Sequence, residues 1–307
     1  MNLFIIGNGF DRGFGHNLPT SYGHFKKHLL DKYGAVDYLP LPPVGTAPDG
    51  GVYSNREDDA HILYKLIEDV DCNGEWKDFE NDLGYISYES MVDLTPNDDD
   101  NPWHQAYNNE DSARDYSISL ANIPSLFAEW IGTIDWQKTA PNENLKRLFD
   151  EGGLFLVFNY TTVLENVYGI EENRICHIHG KIGEKLIFGH ANDDREFSDN
   201  LMLGEADIIF SEMHRSLRKD TATCIQENID FLNRISETEE IYILGWSMGD
   251  SDKEYIELLK EKLKGKKVVI HFTNYDKTHD NIPAFMDKLE GLDYEVGEYI
   301  SDGSLNS

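Results

Sequence analysis

An α/β fold, with a mainly parallel sheet wound by helices on both faces, is the architecture that this chain of 307 residues predicts. Three observations lead there. The chain opens on a short apolar run, Asn2–Ile6, that stops at Gly7. Further short apolar runs return after residue 150, and segments of helical periodicity separate them. A strand buried on both faces has no polar side, so it reads as an unbroken apolar run, and strands that alternate with helices form parallel sheets.

In chain order, residues 2–6 are the first strand. Residues 21–33 read as a helix with Tyr22, Phe25 and Leu29 on one face, and residues 34–55 as a Pro- and Gly-rich loop. Residues 56–70 read as a helix carrying Ile62, Leu66 and Ile67. Trp76, Phe79, Leu83 and Ile86 recur at helical spacing, an acidic loop spans Asn97–Pro102, and residues 112–137 are again helical. About 22–150 is therefore a large helical insertion after the first strand. Strands are then expected at 154–158, 174–179, 186–189, 241–244 and 268–272, with a long helix over 208–235 and another over 252–264. The expectation is one Rossmann-like domain, 1–307, that is doubly wound and carries this insertion.

Charge narrows the functional classes. Lys and Arg number 27 against 57 Asp and Glu, a formal net charge of −30. Such a surface repels phosphate backbones and anionic membranes, so general nucleic-acid and membrane-surface binding are disfavoured. A small anionic ligand is still admissible, because a pocket can offer backbone N–H groups locally. Cys72, Cys176 and Cys224 are too few and too widely spaced for a disulfide framework or a four-cysteine zinc site. The first residues lack the basic flank and length of a secretion signal, and no run of roughly 18 apolar residues occurs. These features predict a cytoplasmic protein.

Four segments place glycine or polar residues just after a predicted strand, the edge at which open α/β sheets bind ligands. The first is Gly7-Asn8-Gly9-Phe10-Asp11. Its glycines allow a tight turn and close approach to a phosphate, and Asp11 suits either a cap or a ribose hydroxyl. In the second, Phe158-Asn159-Tyr160-Thr161-Thr162, an amide follows five apolar residues. Asn159 there suits a ribose diol, a water or a helix N-cap. The third, His177-Ile178-His179-Gly180, offers His179 as a general base, and alternation along the strand would set His177 and His179 on one face. The fourth, Gly245-Trp246-Ser247-Met248-Gly249-Asp250, offers Gly245 and Ser247 to phosphate or ribose, with Asp250 and Asp252 as helix caps. Two other readings stay open. His177 and His179 with His190, Asp193 and Asp194 could form a metal site, and Gly245–Gly249 matches the G-x-S-x-G nucleophile elbow, with Asp276 and His279 downstream. Trp76, Asp78 and Glu80 open one helix of the insertion, where acids are expected to face solvent.

The ordered motifs G-N-G-F-D, F-N-Y-T, H-I-H-G and G-W-S-M-G-D-S-D resemble the AbiH family of phage abortive-infection proteins over nearly the whole chain. They are similar, more distantly, to the sirtuin and SIR2-like superfamily. That resemblance implies hydrolysis of NAD as substrate, with no metal. Asn159 and His179 would be catalytic, and Gly7, Asn8, Gly9, Asp11, Thr161, Gly245 and Ser247 would bind the nucleotide. It also implies a phage-derived or protein trigger and admits a homo-oligomer. The sirtuin zinc ribbon is missing, the sirtuin turn's alanine and serine are replaced by Asn8 and Phe10, and Thr161 stands where a sirtuin has Asp. A nucleotide sensor without chemistry, a partner-binding toxin module and a metal-dependent nuclease are the alternatives.

Overall fold

A computed structural model describes residues 1–36, 38–39, 45–46, 48, 50, 52–95, 102–192 and 203–302. The chain divides into two compact units: 1–21, 131–187 and 220–307 form the first, and 22–130 with 188–219 form the second. The helix Glu143–Asp150 thus belongs to the first unit. Among the described residues no helix is long and apolar enough to cross a membrane.

The first unit holds a six-stranded sheet of β1 (Asn2–Ile6), β2 (Leu154–Val157), β3 (Ile175–His177), β4 (Glu240–Leu244), β5 (Lys267–His271) and β6 (Asp293–Val296). Every pairing is parallel, and the spatial order is β3-β2-β1-β4-β5-β6. This is the order of doubly wound dinucleotide-binding sheets, in which the chain works outward from β1 in both directions.

Both faces of the sheet are covered. Leu3, Ile5, Leu154, Leu156, Ile241 and Ile243 pack into one core cluster with Tyr255, Ile256 and Leu259 of the helix Lys253–Lys262. On the other face Phe4 stacks on Phe155 at 4.7 Å and Tyr242 at 4.9 Å, and meets Phe149 of the helix Glu143–Asp150 edge-on. Burial on both sides explains why these strands are uniformly apolar. Register then aligns the strand ends. Ile6 is level with Val157 on one side and Leu244 on the other, and Val157 is level with His177. All four polar segments therefore begin at one edge of the sheet.

The second unit is helical, apart from a hairpin of Gly45–Thr46 and Val52–Tyr53. Phe25, Trp76, Phe79 and Phe127 form its aromatic centre, with Trp76 stacked on Phe79 at 5.4 Å. Glu80 does not face solvent as expected. It accepts from the Tyr22 hydroxyl at 2.6 Å and pairs with the buried Lys219 at 2.9 Å.

Several expected elements are shorter or absent. No strand forms at 186–189; residue 190 makes only an isolated bridge to Arg218. The helix expected over 208–235 is broken into Ala206–Ser216, Thr221–Glu227 and Ile229–Asn233, the first break being followed by Asp220, which caps Thr223. Trp76 adopts a left-handed φ of 52°, so the helix near it begins only at Phe79 and tightens to a 3₁₀ turn at Leu83. The segment 112–137 is two helices, Pro102–Leu120 and Ile123–Ile131. The strand Asp293–Val296 escaped prediction because as an edge strand its residues are mostly exposed and polar.

Candidate functional site

At the end of β1 the chain turns at once into a short helix, Asn8–Arg12, capped by Gly7. Asp11 is carried on that helix and is completely buried. At the end of the neighbouring β2, Thr161 reaches across and donates its hydroxyl to Asp11 Oδ2 at 2.7 Å. The other carboxylate oxygen, Oδ1, has no hydrogen-bond partner, and neither has Asn159 Oδ1. Asn159 and Thr161 are each only 5% exposed. Burial pushes the Asp11 carboxyl up to about 7, although the Thr161 hydroxyl and the nearby Asn159 amide both favour its charged form. Burial outweighs both of these groups, and the carboxyl is held well above its ordinary range.

The glycine turns after β1 and β4 interlock. Gly7 N–H donates to Leu244 O at 3.1 Å and Gly9 N–H to Gly245 O at 2.9 Å. A Cβ on Gly7 would lie 2.4 Å from Gly245 O, and one on Gly245 would lie 2.2 Å from the Phe10 nitrogen. Gly245 also has a φ of 73°. The glycines are therefore required by backbone contact between the two turns, and the Gly7 and Gly9 amides that a phosphate would use are engaged within the protein. The Asn8 amide donates to Thr20 O at 2.8 Å, tying the segment that follows back onto the helix.

The histidines do not share a face. β3 ends at His177, so alternation stops there. His177 turns to Glu165, with Nε2 2.9 Å from its carboxylate. His179, in the turn beyond, joins the face of Cys176 and Ile178: its Nε2 lies 3.1 Å from the Tyr255 hydroxyl, and its ring meets Phe158 edge-on. Burial raises the Tyr255 hydroxyl far above its ordinary range, so it stays protonated. His179 is 1% exposed. The structure thus brings Asp11, Asn159 and Thr161 together, seats His179 behind Phe158 and Tyr160, and leaves Ser247 on the surface.

Asp252 takes the N-cap position of the helix Lys253–Lys262 as expected, but its side chain makes no capping hydrogen bond and accepts the Trp246 indole N–H at 2.8 Å instead. In the G-x-S-x-G segment the left-handed non-glycine residue is Met248, with φ 52°, and not Ser247. Asp276 is committed to a capping box with Thr273, and His279 stacks on Tyr275 at 3.8 Å. Asp276 and His279, the acid and base that the hydrolase elbow would need, are therefore engaged with their own neighbours. His190 accepts the Asn192 N–H on Nδ1 at 3.1 Å, so Nε2 carries the proton and donates to His214 O at 2.9 Å. Asp193 and Asp194 lie outside the described residues, and among those described no group of three or more His, Cys, Asp or Glu is arranged to hold a metal ion.

The pairing of Asp11 with Thr161 was not foreseen from sequence. The residues are 150 positions apart, and only the parallel register of β1 and β2 makes them neighbours. The one local signal was an aspartate set between Phe10 and Phe14.

No curated protein and no solved structure matches the chain. Its residues 3–274 match the family model described as bacteriophage abortive infection AbiH, and the protein belongs to that family.

Proposed function

We propose that this protein serves phage abortive infection by hydrolysing NAD, with water replacing nicotinamide at the ribose carbon of the N-glycosidic bond and depleting the infected cell. The carrying observation is the Asp11–Thr161–Asn159 cluster: a buried carboxyl titrating at about 7, beside an amide, at the ligand-binding edge of a sheet in dinucleotide-fold order. The two unpartnered oxygens fit a hydroxyl-bearing ligand. A base that titrates near the working pH is the most effective proton acceptor, and buried acids tuned in this way concentrate at functional sites.

On this reading Asp11 accepts the proton, Thr161 holds its carboxylate, and Asn159 orients the reacting ribose or water. His179 positions the Phe158–Tyr160 segment around Asn159. Gly7, Gly9 and Gly245 hold the two turns together, and Asn8 and Ser247 are the side chains beside them for phosphate or ribose. Hydrolysis yields nicotinamide, ADP-ribose and one proton.

The test is to incubate the purified protein with NAD, before and after exposure to phage-infected lysate, with and without divalent metal, and to follow nicotinamide by chromatography. Metal-independent release that is lost in Asp11→Asn and Asn159→Ala supports the reading, and no release under any of these conditions removes it. A second reading, a nucleotide sensor without chemistry, is favoured by one observation: Asp11 has no contact with solvent. Its signature is NAD binding without nicotinamide release.

A further inference from the structure

We infer that the outer face of the helix Pro102–Leu120, at Trp103 and Tyr107, is a docking surface for an arginine-bearing basic segment of another protein. This surface lies in the helical unit and shares no residue with the site described above.

Trp103 is 69% exposed and Tyr107 62%. They stand one turn apart on one face of the helix, and Asp111 follows at the next turn. Tryptophan is highly buried on average, and two large aromatic side chains left together in water form a patch of the kind that marks an interaction site. Their outward position is built in, because the opposite face is tied down. The Gln105 amide donates to Asp93 O at 2.8 Å, and Asn109 Oδ1 accepts the Asp93 N–H at 3.0 Å. Ala106, Ala113 and Tyr116 are buried on that same side. The helix Ala206–Ser216 is joined to it where Glu205 N–H donates to Glu110 Oε1 at 3.0 Å. Turning the helix to bury Trp103 would break these bonds.

Charge selects the occupant. The two helices carry Glu110, Asp111, Asp115, Asp207 and Glu212 against two arginines, in a chain of formal net charge −30. The Asp111 side chain is 77% exposed and lies 3.6 Å from Arg114, which is itself exposed, so water screens the pair and leaves the carboxylate open to a better partner. An anionic membrane and a second copy of this chain would each bring like charge to the face. A guanidinium suits all three side chains. It stacks on aromatic rings and forks onto a carboxylate, whereas the lysine ammonium is a point charge that keeps its water more tightly. Trp, Tyr and Arg are also the residues in which binding energy concentrates at protein interfaces.

The experiment measures binding of short labelled peptides of arginine, lysine or glutamate, equal in length, to the full chain by fluorescence anisotropy at about 150 mM salt. The arginine peptide is expected to bind more tightly than the lysine peptide, and the glutamate peptide not at all. Trp103→Ala combined with Tyr107→Ala should weaken arginine-peptide binding about 5–30-fold, the loss of two exposed cation–aromatic contacts. Asp111→Asn should weaken it about 1.5–5-fold. Tyr53→Ala removes another exposed tyrosine of the same unit and should leave the affinity unchanged. Equal affinity of wild type and the double variant, or no preference for arginine over lysine, overturns the inference and leaves a diffuse attraction to negative charge. Absence of arginine-peptide binding also overturns it. In that case binding to phosphatidylcholine vesicles, or self-association in sedimentation, that the double variant loses would identify a membrane surface or a second copy as the occupant. The arginine–lysine comparison on wild type decides the matter even if the double variant does not fold. NAD turnover is not part of the readout, so failure here leaves the proposed hydrolase standing.

Discussion

The two units each bury an aspartate, and the two residues solve the problem differently. Asp59, in the helical unit, is 1% exposed. Its Oδ1 accepts from the Ser54 hydroxyl at 2.6 Å and its Oδ2 from the Asn122 amide at 2.9 Å. Burial raises its pKa, and Ser54, Ser119, Asn122 and Arg56 oppose the rise. Asp11, in the sheet unit, accepts from Thr161 at one oxygen, and Thr161 and Asn159 both favour its charged form, but its Oδ1 lies without a partner at hydrogen-bond distance while both oxygens of Asp59 are held. Burial alone therefore does not mark a site. On the proposed reading the difference lies in an oxygen left without a partner at the ends of the sheet strands, where open α/β sheets bind ligands.

The comparison breaks first at Asp11→Asn. Removing a proton acceptor should lower nicotinamide release by about 10²–10⁴-fold. The same change at Asp59 should leave a neutral group that still accepts from Ser54. A fall in activity of less than tenfold for Asp11→Asn, measured by the chromatographic assay, would place Asp11 with Asp59 as a structural residue.

The second test is pH. Burial pushes the Asp11 carboxyl up to about 7, above its ordinary value of 3.8. The native state then binds more protons than the unfolded one between these values, so the contribution of Asp11 to stability is present below 3.8 and is lost as pH rises to about 7. At 1.36 kcal/mol per unit, the total is on the order of 4 kcal/mol. Urea unfolding of wild type and Asp11→Asn from pH 4 to 8 should show a stability difference that changes across this window and is flat above it. A constant difference would mean that Asp11 ionises normally.

Asp59→Ala comes third. It strands the donors of Ser54 and Asn122 and should cost about 1–3 kcal/mol in the same unfolding experiment. The smallest effect is expected from Thr161→Val. The Thr161 hydroxyl lowers the pKa of Asp11, so its loss should move the acidic limb of the pH–rate profile to higher pH while the maximal rate is largely kept. A profile that does not move would show that Thr161 does not hold the reacting form.

Much of the fold was legible because buried parallel strands advertise themselves. β1, β2, β4 and β5 are apolar runs cut by glycine or polar residues, and their ends were foreseen to within about a residue. Leu186–Gly189 shows the limit of that signal. Its apolar residues are used in packing, with Phe188 against Phe127 at 4.5 Å, and not in a ladder. The histidines show another limit: alternation holds only while a strand lasts, and β3 is three residues long.

Sequence by itself determined the buried strands β1, β2, β4 and β5, the glycines after β1 and β4, and the family match, since each is written in local pattern. Only the tertiary structure decided what those pieces do. Parallel register sets Gly245 against Gly7 and Gly9, so that the turns bind one another. The same register sets Thr161 on Asp11 and leaves one carboxylate oxygen unanswered. Burial and unmet hydrogen bonds arise from neighbours far apart in the chain, and no local pattern records them.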